Sequence, residues 1–405
     1  MAAVRDKNNI NIPYFKSESM QMFLNRRGQP YMSVGGFGAV FRFKDKNETQ
    51  YAFKVFTRDA PGRSERYQAL HDTLQITRFP FMVDFQYVAD GLKMGTKSYP
   101  VVVMEWGKGI QLNSAIEQDM EDDGILRGAP RFAGNLYSIV KVFQEWKMGH
   151  GDFQEGNLLA MDDNNLILID YDGMFVPSLE GKQANEVGLA DYQHPKRKNK
   201  HFGSSIDDFA LISILYQLSV ITPELWKKNH DDKRLILRNS DYQDPKKSEL
   251  IKLGIKSDKP HVRALASLLV ESCATDPLEI KAIEKIESAT EITDWFELPP
   301  KSKPEIKYSS IIKDVISLTG TEVTEFESHD TGPVQPENPK DAQAVSHAQA
   351  VPKGKSRKKE EGRWGLINRL IFEETNESPN PKPPDKSMFK KAKKAFMGMI
   401  FEDET

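Results

Sequence analysis

The sequence has a single cysteine, Cys273, among its 405 residues. One cysteine cannot form an internal disulfide, and it excludes a cysteine-rich metal site. No apolar run approaches the roughly 18 residues that a membrane-spanning helix requires, and residues 1–15 show no apolar core of the signal-peptide kind. We therefore expect a soluble cytoplasmic protein without a transmembrane segment.

An excess of charge of one sign is also lacking. The 56 Lys and Arg residues nearly balance the 59 Asp and Glu residues, which leaves a net charge of −3. A nucleic-acid or anionic membrane surface attracts a basic protein, and this chain has no such overall footprint. We expect no nucleic-acid partner.

Large apolar residues are scarce after about residue 299, where Pro, Ser, Thr, Lys and Glu dominate. Such a segment cannot bury enough surface to offset the entropy lost on ordering. We predict a flexible linker over 299–360. A folded domain over 25–298 precedes it, with an N-terminal extension over 1–24, and a tail over 361–405 follows it.

Hydrophobic periodicity changes within the folded region. Up to about residue 106, apolar and polar residues alternate around turns, which is typical of β-strands. Beyond about residue 130 apolar residues recur at helical spacing, and 207–221 is apolar nearly all round, as a buried helix would be. The sequence predicts an α+β fold with a β-rich N-lobe at about 25–106 and an α-helical C-lobe at about 107–298.

A glycine-rich turn, "SVGGFGAV", falls between two predicted strands. Backbone N–H groups there can approach phosphates because no Cβ is in the way. Lys54, a charged residue in the apolar strand "YAFKVF", would lie under this turn and could hold α- and β-phosphates. Each signal alone also has an ordinary explanation, since glycine-rich hairpins are common and a strand lysine can face water.

Two carboxylate signals follow in the second half of the domain. In "HGDFQEGNLL", Asp152 can accept a proton from an attacking hydroxyl and the amide oxygen of Asn157 can bind Mg²⁺. In "NNLILIDYDG", an apolar strand ends in Asp170, where a carboxylate could bind a metal that bridges two phosphates. The fixed order of these four signals makes the combination far more specific than its parts.

Together these motifs resemble the protein-kinase superfamily over about residues 25–298. The resemblance implies a bilobal protein-kinase-like fold, ATP, and Mg²⁺ or Mn²⁺. It implies that Asp152 is the catalytic base, that Asn157 and Asp170 hold metal, and that Lys54 completes the catalytic set. The ATP-binding residues that it implies are Ser33, Val34, Gly35, Gly36, Phe37, Gly38, Val40, Ala52, Lys54, Met104, Glu105, Gly107 and Leu159.

The chain departs from the family at several positions. Gly151 stands where an Arg normally senses a phosphate on the activation segment, and the segment 170–195 contains no Thr and only one Ser, Ser178. This joint absence indicates a kinase that activation-loop phosphorylation does not control. Gln154 replaces a Lys that stabilises developing charge, and Lys196 replaces the Glu that ends the segment.

The glutamate that pairs with Lys54 in the family has no clear counterpart. The register of the next strand places its position at Leu70. Of the acids in range, Glu65 and Asp72, we choose Glu65. Asp207, which opens the buried helix, resembles the Asp that ties this helix to the catalytic loop.

Three functions remain open. We expect transfer of the γ-phosphate of ATP to Ser or Thr hydroxyls of a protein substrate. The His-Gly-Asp spelling also resembles aminoglycoside and choline phosphotransferases, and the acidic segment 117–126 could bind a cationic small molecule. The third function is that of an ATP-binding pseudokinase scaffold.

The tail contains a short repeat of Ile-Phe-Glu followed by an acidic residue, within 366–375 and 396–405. Each copy follows a basic stretch. The repeat predicts two docking segments for a protein substrate or adaptor. In the linker, the threonines of 317–331 could be autophosphorylation sites that a phosphothreonine-binding partner reads.

Overall fold

A computed structural model of the chain describes residues 2–299. Within that range it leaves out 18–19, 36–37, 125, 163–164 and 232. Gly36 and Phe37 of the glycine-rich turn are therefore outside the described residues. The same is true of the predicted linker beyond residue 299 and of the segments 317–331, 366–375 and 396–405.

The strands of the described residues form two sheets. A six-stranded antiparallel sheet has the order β1-β3-β4-β6-β5, with β2 paired to β3, and a three-stranded sheet has the order β7-β8-β9. The strands are β1 (Gln21–Met22), β2 (Met32–Val34), β3 (Gly38–Lys44), β4 (Gln50–Phe56), β5 (Phe85–Met94), β6 (Lys97–Glu105), β7 (Ile110–Gln111), β8 (Leu158–Ala160) and β9 (Leu166–Leu168).

Helices dominate the second half of the described chain, so the fold is α+β as predicted. None of them is long and apolar enough to cross a membrane. The α-helices are α1 (Ala2–Arg5), α2 (Pro13–Lys16), α3 (Arg63–Thr77), α4 (Leu112–Asp123), α5 (Ala129–Glu145), α6 (Asp208–Val220), α7 (Pro223–Asn229), α8 (Asn239–Gln243), α9 (Glu249–Ile255), α10 (Pro260–Ala274), α11 (Ala282–Ser288) and α12 (Thr290–Thr293). Short 3-10 helices span Lys7–Asn9, Glu155–Asn157 and Pro177–Leu179.

The N-terminal segment is built into the core on one face of the large sheet. Phe15 of α2 is fully buried there and packs edge-on against Phe43, with ring centroids 5.2 Å apart. Gln21 of β1 pairs with Lys44 of β3. Described residues of the predicted extension, Ile10, Ile12 and Phe15 among them, therefore contribute directly to this core.

Strand β6 shows how the large sheet divides the apolar residues between two cores. Val101 and Val103 face the N-terminal core, whereas Val102 faces the larger core that continues into the helices. This is the alternation that a strand imposes on consecutive side chains. Residues on the second face of the sheet therefore lie towards the helical half, where the candidate site is.

Helix α6 is the buried centre of the helical half, as the apolar pattern predicted. The Gln217 side chain of this helix is fully buried, and both its amide nitrogen and its amide oxygen are hydrogen-bonded. The Gln217 Oε1 atom accepts hydrogen bonds from the backbone N–H groups of Ile236 and Leu237, both at 2.9 Å. The next residue towards the N-terminus, Leu235, donates its N–H to the hydroxyl of Tyr192 at 2.9 Å. Gln217 thus holds the loop on which the segment around Tyr192 rests.

Replacing Gln217 with Leu should lower the free energy of unfolding by about 2–4 kcal/mol, because two buried backbone donors lose their acceptor. Chemical denaturation followed by circular dichroism would measure this loss. Gln243→Leu, on an exposed side chain of α8, is the matched control and should change stability by less than about 0.5 kcal/mol. Equal losses in the two variants would contradict the role given to Gln217.

Candidate active site

Lys54 lies at the centre of the candidate site. Tyr51, Phe53 and Val55 of β4 turn into the N-terminal core, so alternation directs Lys54 to the opposite face. Its Nζ atom lies 2.5 Å from Asp170 Oδ1 and 2.9 Å from Asp172 Oδ2, and the side chain is only 12% exposed. Burial disfavours the charged ammonium, but the two carboxylates outweigh burial and raise the pKa of Lys54.

The two carboxylates beside Lys54 differ in environment. The Asp170 side chain is 45% exposed and the Asp172 side chain 13%. Enclosure by the protein opposes ionisation of Asp170, yet Lys54 holds the pKa of this carboxyl below its usual value. Burial raises the pKa of Asp172. The charge of Lys54 lowers this pKa, and the nearby negative charge of Asp170 raises it further. Asp170 is therefore the stronger acid and the one that is open to the cleft.

Asp152 is fixed by three hydrogen-bond donors. Gln154 Nε2 donates to Asp152 Oδ2 at 2.6 Å, and Asn157 Nδ2 donates to the same oxygen at 3.0 Å. The backbone N–H of Leu189 donates to Oδ1 at 2.9 Å. Gln154 thus orients the carboxylate of Asp152 as a neutral donor, a role that its sequence position did not reveal.

Backbone contacts bring Asn157 next to the Asp170 turn. The N–H of Ile169 donates to the carbonyl of Asn157 at 3.1 Å, directly before Asp170. The Nε2 atom of His150 lies 3.1 Å from the carbonyl oxygen of Ile169. The loop that contains Asp152 and the turn that contains Asp170 are therefore held side by side.

The loop around Asp152 is anchored from below by helix α6. The carboxylate of Asp207 accepts hydrogen bonds from the N–H of His150 at 2.5 Å and of Gly151 at 2.7 Å. The resemblance implied this tie for Asp207. Gly151 has a φ of +81°, and an added Cβ would collide with the carbonyl of Gly173. The structure thus admits no side chain, and no arginine, at the position before Asp152.

A cation nevertheless reaches this loop from a different part of the chain. Arg197 donates to Gln193 Oε1 at 2.6 Å, to the carbonyl of Ile206 at 3.1 Å and weakly to that of Gly151 at 3.4 Å. Burial lowers the pKa of Arg197 to about 10, opposed by Asp207, Asp152 and Glu186. The guanidinium therefore places positive charge behind Asp152 without an arginine in the loop itself.

Glu186 is a site residue that sequence reasoning missed, because "ANEVGLADY" has no motif that singles it out. Its carboxyl interacts electrostatically with Asp172, Asp170, Asp152 and Lys54. Burial and the neighbouring carboxylates raise the pKa of Glu186 to about 8. This single residue shows that the carboxylates from three separate segments converge on one region.

Five residues of the predicted nucleotide site share one face of the large sheet, whereas Val34 lies on the opposite face with Ala39 of the N-terminal core; the five are Ser33, Val40, Ala52, Lys54 and Met104. Val40 pairs with both Ser33 and Lys54, Val34 pairs with Ala39, and Ala52 pairs with Met104. The N–H of Gly35 donates to the carbonyl of Gly38 at 2.9 Å and closes the glycine turn. The strand that carries Met104 ends at Glu105.

Gly107 and Leu159 come together just beyond that strand. An added Cβ on Gly107 would lie 2.5 Å from Leu159 Cδ1 and 3.3 Å from Ile169 Cγ2. Gly107 follows β6 and Leu159 lies on β8, so residues distant in sequence meet at one end of the cleft. The structure thus brings together two residues of the predicted ATP-binding set, Gly107 and Leu159.

The choice of Glu65 as the partner of Lys54 is wrong. Glu65 Oε1 lies 2.5 Å from the Nζ atom of Lys182, and the Glu65 side chain is 62% exposed. Arg66, the next residue of α3, donates to the carbonyl of Gln183. Both residues tie helix α3 to the segment that follows Asp170. The carboxylates that Lys54 does contact, those of Asp170 and Asp172, lie at the start of this segment.

The end of this segment is anchored by a histidine. The backbone N–H of Lys196 donates to His194 Nδ1 at 3.0 Å, so the ring proton sits on Nε2, which lies 3.0 Å from the carbonyl oxygen of Ser272. Burial lowers the pKa of His194, which keeps the imidazole neutral in this arrangement. A neutral contact with α10 thus anchors this end of the segment.

The donor chemistry near Asp170 fits a divalent cation. Asn157 uses its amide nitrogen on Asp152, and carboxylate and amide oxygens are ligands that Mg²⁺ and Mn²⁺ accept. No group of three or more His, Cys, Asp or Glu side chains is arranged to hold a metal ion within the described chain. A site of Asp170 and Asn157, completed by phosphate oxygens and water, requires no such group.

The acidic segment 117–126 is partly committed to the fold. Glu117 accepts a hydrogen bond from Trp226 Nε1 at 3.4 Å and lies 3.9 Å from His230 Nε2. Asp119 accepts the backbone N–H of Gly128 at 2.6 Å. At least two of its carboxylates thus stabilise α4 and its surroundings.

Replacing Gly188 with Ala should destabilise the protein, because the new Cβ would lie 2.6 Å from Asp152 Oδ1. Gly181 is a matched control, since its φ of +78° is close to the +75° of Gly188 but an added Cβ meets nothing within 4 Å. Gly188→Ala should cost about 1–3 kcal/mol more than Gly181→Ala in chemical denaturation. Equal costs would mean that the contact with Asp152 is unimportant.

Glu186 should make stability depend on pH. Between its usual pKa of 4.5 and about 8, the unfolded carboxyl is ionised while the folded one keeps its proton, so the stability contribution of Glu186 falls as pH rises. Glu186→Gln removes this loss, and its melting temperature relative to wild type should increase from pH 5 to pH 8. The exposed Glu180→Gln is the control. A difference that stays constant with pH would contradict the raised pKa.

Comparison with known proteins adds no further identification. No model of a known protein family matches the chain, and no curated protein matches it significantly. The interpretation of the site therefore depends on its own residues and geometry.

Proposed function

We propose that this chain is a protein-kinase-like phosphotransferase that transfers the γ-phosphate of ATP to Ser or Thr hydroxyls with the help of Mg²⁺. One observation carries the proposal. Lys54, Asp170 and the Asp152–Asn157 loop come from separate elements and meet in one region. Glu186 interacts electrostatically with Lys54, Asp170 and Asp152, which places all three near it. Each group has the chemistry that one step of phosphoryl transfer requires.

The residues divide the work as follows. Lys54 neutralises and orients phosphate oxygens below the turn at Gly35 and Gly38. Asp170 and Asn157 would hold Mg²⁺, which would supply Lewis-acid stabilisation of the phosphates. Asp152, oriented by three donors, accepts the proton of the acceptor hydroxyl.

Gln154 favours a particular division of charge in this mechanism. The family places a cation here, close to the transferred phosphoryl group, whereas Gln154 is neutral and donates to Asp152. More of the developing negative charge would then fall to Lys54 and the metal. This supports a slow or substrate-restricted kinase rather than an inactive one, because Asp152 keeps its orientation.

The proposed enzyme is not controlled by activation-loop phosphorylation. The segment after Asp170 is already anchored without a phosphate group. Its anchors are the ion pair of Glu65 with Lys182 and the hydrogen bonds of His194 and Arg197. Between Asp170 and Pro195 the sequence contains one Ser, Ser178, and no Thr. These contacts support an enzyme whose segment is ordered as soon as the chain folds.

The proposal predicts that the purified protein transfers radiolabel from γ-labelled Mg-ATP to itself or to a protein acceptor. Asp152→Asn should lower kcat by about 10²- to 10⁴-fold and change the KM for ATP little, because the base acts in the chemical step. Asp162→Asn, on an exposed residue, is the matched control and should retain wild-type activity.

Two outcomes would contradict the proposal and point to the alternatives. Label on a cationic small molecule but on no protein would favour the small-molecule phosphotransferase. Binding of ATP without transfer to any acceptor would favour the pseudokinase scaffold.

A further inference from the structure

Helix α3 brings no carboxylate to Lys54. Its two acidic residues face elsewhere, since Glu65 pairs with Lys182 and Asp72 accepts a hydrogen bond from Gln68 at 2.7 Å. Leu70, at the position where the family has its glutamate, is a core residue that is 2% exposed. The positioning of Lys54 must therefore come from outside the helix.

Asp172 provides a carboxylate that contacts both Lys54 and the helix. Its Oδ2 atom lies 2.9 Å from Lys54 Nζ, and its Oδ1 atom accepts the hydroxyl of Tyr67 on α3. Each oxygen of Asp172 thus has a partner of its own. The chain of contacts runs from α3 through Tyr67 and Asp172 to Lys54.

Tyr67 is rigidly held. Its ring stacks on Tyr87 with centroids 5.1 Å apart and meets Phe56 and Phe85 edge-on at 5.6 Å and 5.5 Å. The side chain is 4% exposed. A hydroxyl on so constrained a ring can fix the rotamer of the carboxylate that it binds.

We propose that Asp172, held by Tyr67, is the positioning residue for Lys54 and takes the place of the helix glutamate. This inference rests on the proposed function, since Lys54 is positioned for phosphate. The two acids of the motif "DYDG" then have different roles, since Asp170 would bind the metal and Asp172 would position Lys54. The position of α3 is coupled to the phosphate site through a tyrosine.

Exposure and charge support this assignment of the two acids. Asp170 is 45% exposed and can turn to a cation, whereas Asp172 is 13% exposed and both its oxygens are engaged. When Asp170 binds metal, Lys54 still needs one negative partner to offset its burial. Asp172 remains in place to balance that charge.

The test compares binding of Mg-ATP by isothermal titration calorimetry in the full chain. Asp172→Asn keeps the shape but removes the charge, and it should raise the Kd about 10-fold, as expected for loss of one charged hydrogen bond. Tyr67→Phe removes only the hydroxyl and should raise it about 3-fold. Asp90→Asn, on an exposed acid of β5 whose carboxylate accepts a hydrogen bond from Asn11 at 2.7 Å, is the control and should leave the Kd unchanged.

Combined variants show whether Asp172 acts through Lys54. In a Lys54→Met background, Asp172→Asn should change the Kd less than 2-fold, because the residue that it positions is gone. Adding Tyr67→Phe to Asp172→Asn should likewise have no further effect. A full 10-fold loss in the Lys54→Met background would overturn the proposal and make Asp172 a direct ligand of metal or nucleotide.

Failure of the inference can be told from failure of the proposed function. Wild type that binds and transfers phosphate, with Asp172→Asn and Tyr67→Phe unchanged, overturns the inference alone. Wild type that does not bind Mg-ATP overturns both. Thermal unfolding establishes which variants fold, and if Asp172→Asn does not, Tyr67→Phe and its loss of affinity decide the matter.

Discussion

A nearly buried lysine needs a negative partner, and this requirement organises the centre of the molecule. Lys54 is held on the inner face of the sheet because its neighbours on β4 fill the N-terminal core. Its charge is balanced by Asp170 and Asp172, which follow β9. Because Tyr67 binds Asp172, helix α3 is drawn into the same arrangement. One ion pair thus connects the large sheet, helix α3 and the segment that leads into the helical half.

A second constraint is the close packing of backbone around Asp152. At Gly151 a side chain would collide with the carbonyl of Gly173, and at Gly188 it would collide with Asp152 itself. The loop and the segment after Asp170 therefore approach each other more closely than side chains would allow. Gln154 donates a hydrogen bond to Asp152, and Arg197 donates one to the carbonyl of Gly151. These two side chains thus supply a donor and a positive charge next to the loop. The glycine at position 151 and the glutamine at position 154 thus belong together as parts of one local geometry.

Local patterns predicted much of this fold. Alternation identified β3 to β6, and the apolar pattern of 207–221 identified α6 as a buried helix. The tie of Asp207 to the Asp152 loop and the meeting of Lys54 with Asp170 were implied by the resemblance to protein kinases, and both contacts are present. Such features depend on residues whose neighbours in sequence define their surroundings.

What the sequence did not reveal depends on contacts between distant segments. Glu65 was the wrong partner for Lys54, because the choice among acids of α3 ignored carboxylates outside the helix. Glu186 and Arg197 have no local motif, and they join the site only through the path of the segment after Asp170. The N-terminal residues 1–24 were set apart although Phe15 is a core residue, since a short segment with mixed composition shows no periodicity.

The most direct test of this account is a crystal structure of the protein with Mn²⁺ and a non-hydrolysable ATP analogue. The account predicts an anomalous Mn²⁺ peak bound by oxygens of Asp170 and Asn157. It also predicts that Lys54 contacts phosphate oxygens while Asp172 remains on Lys54. A nucleotide bound elsewhere, or Mn²⁺ bound by other side chains, would contradict it.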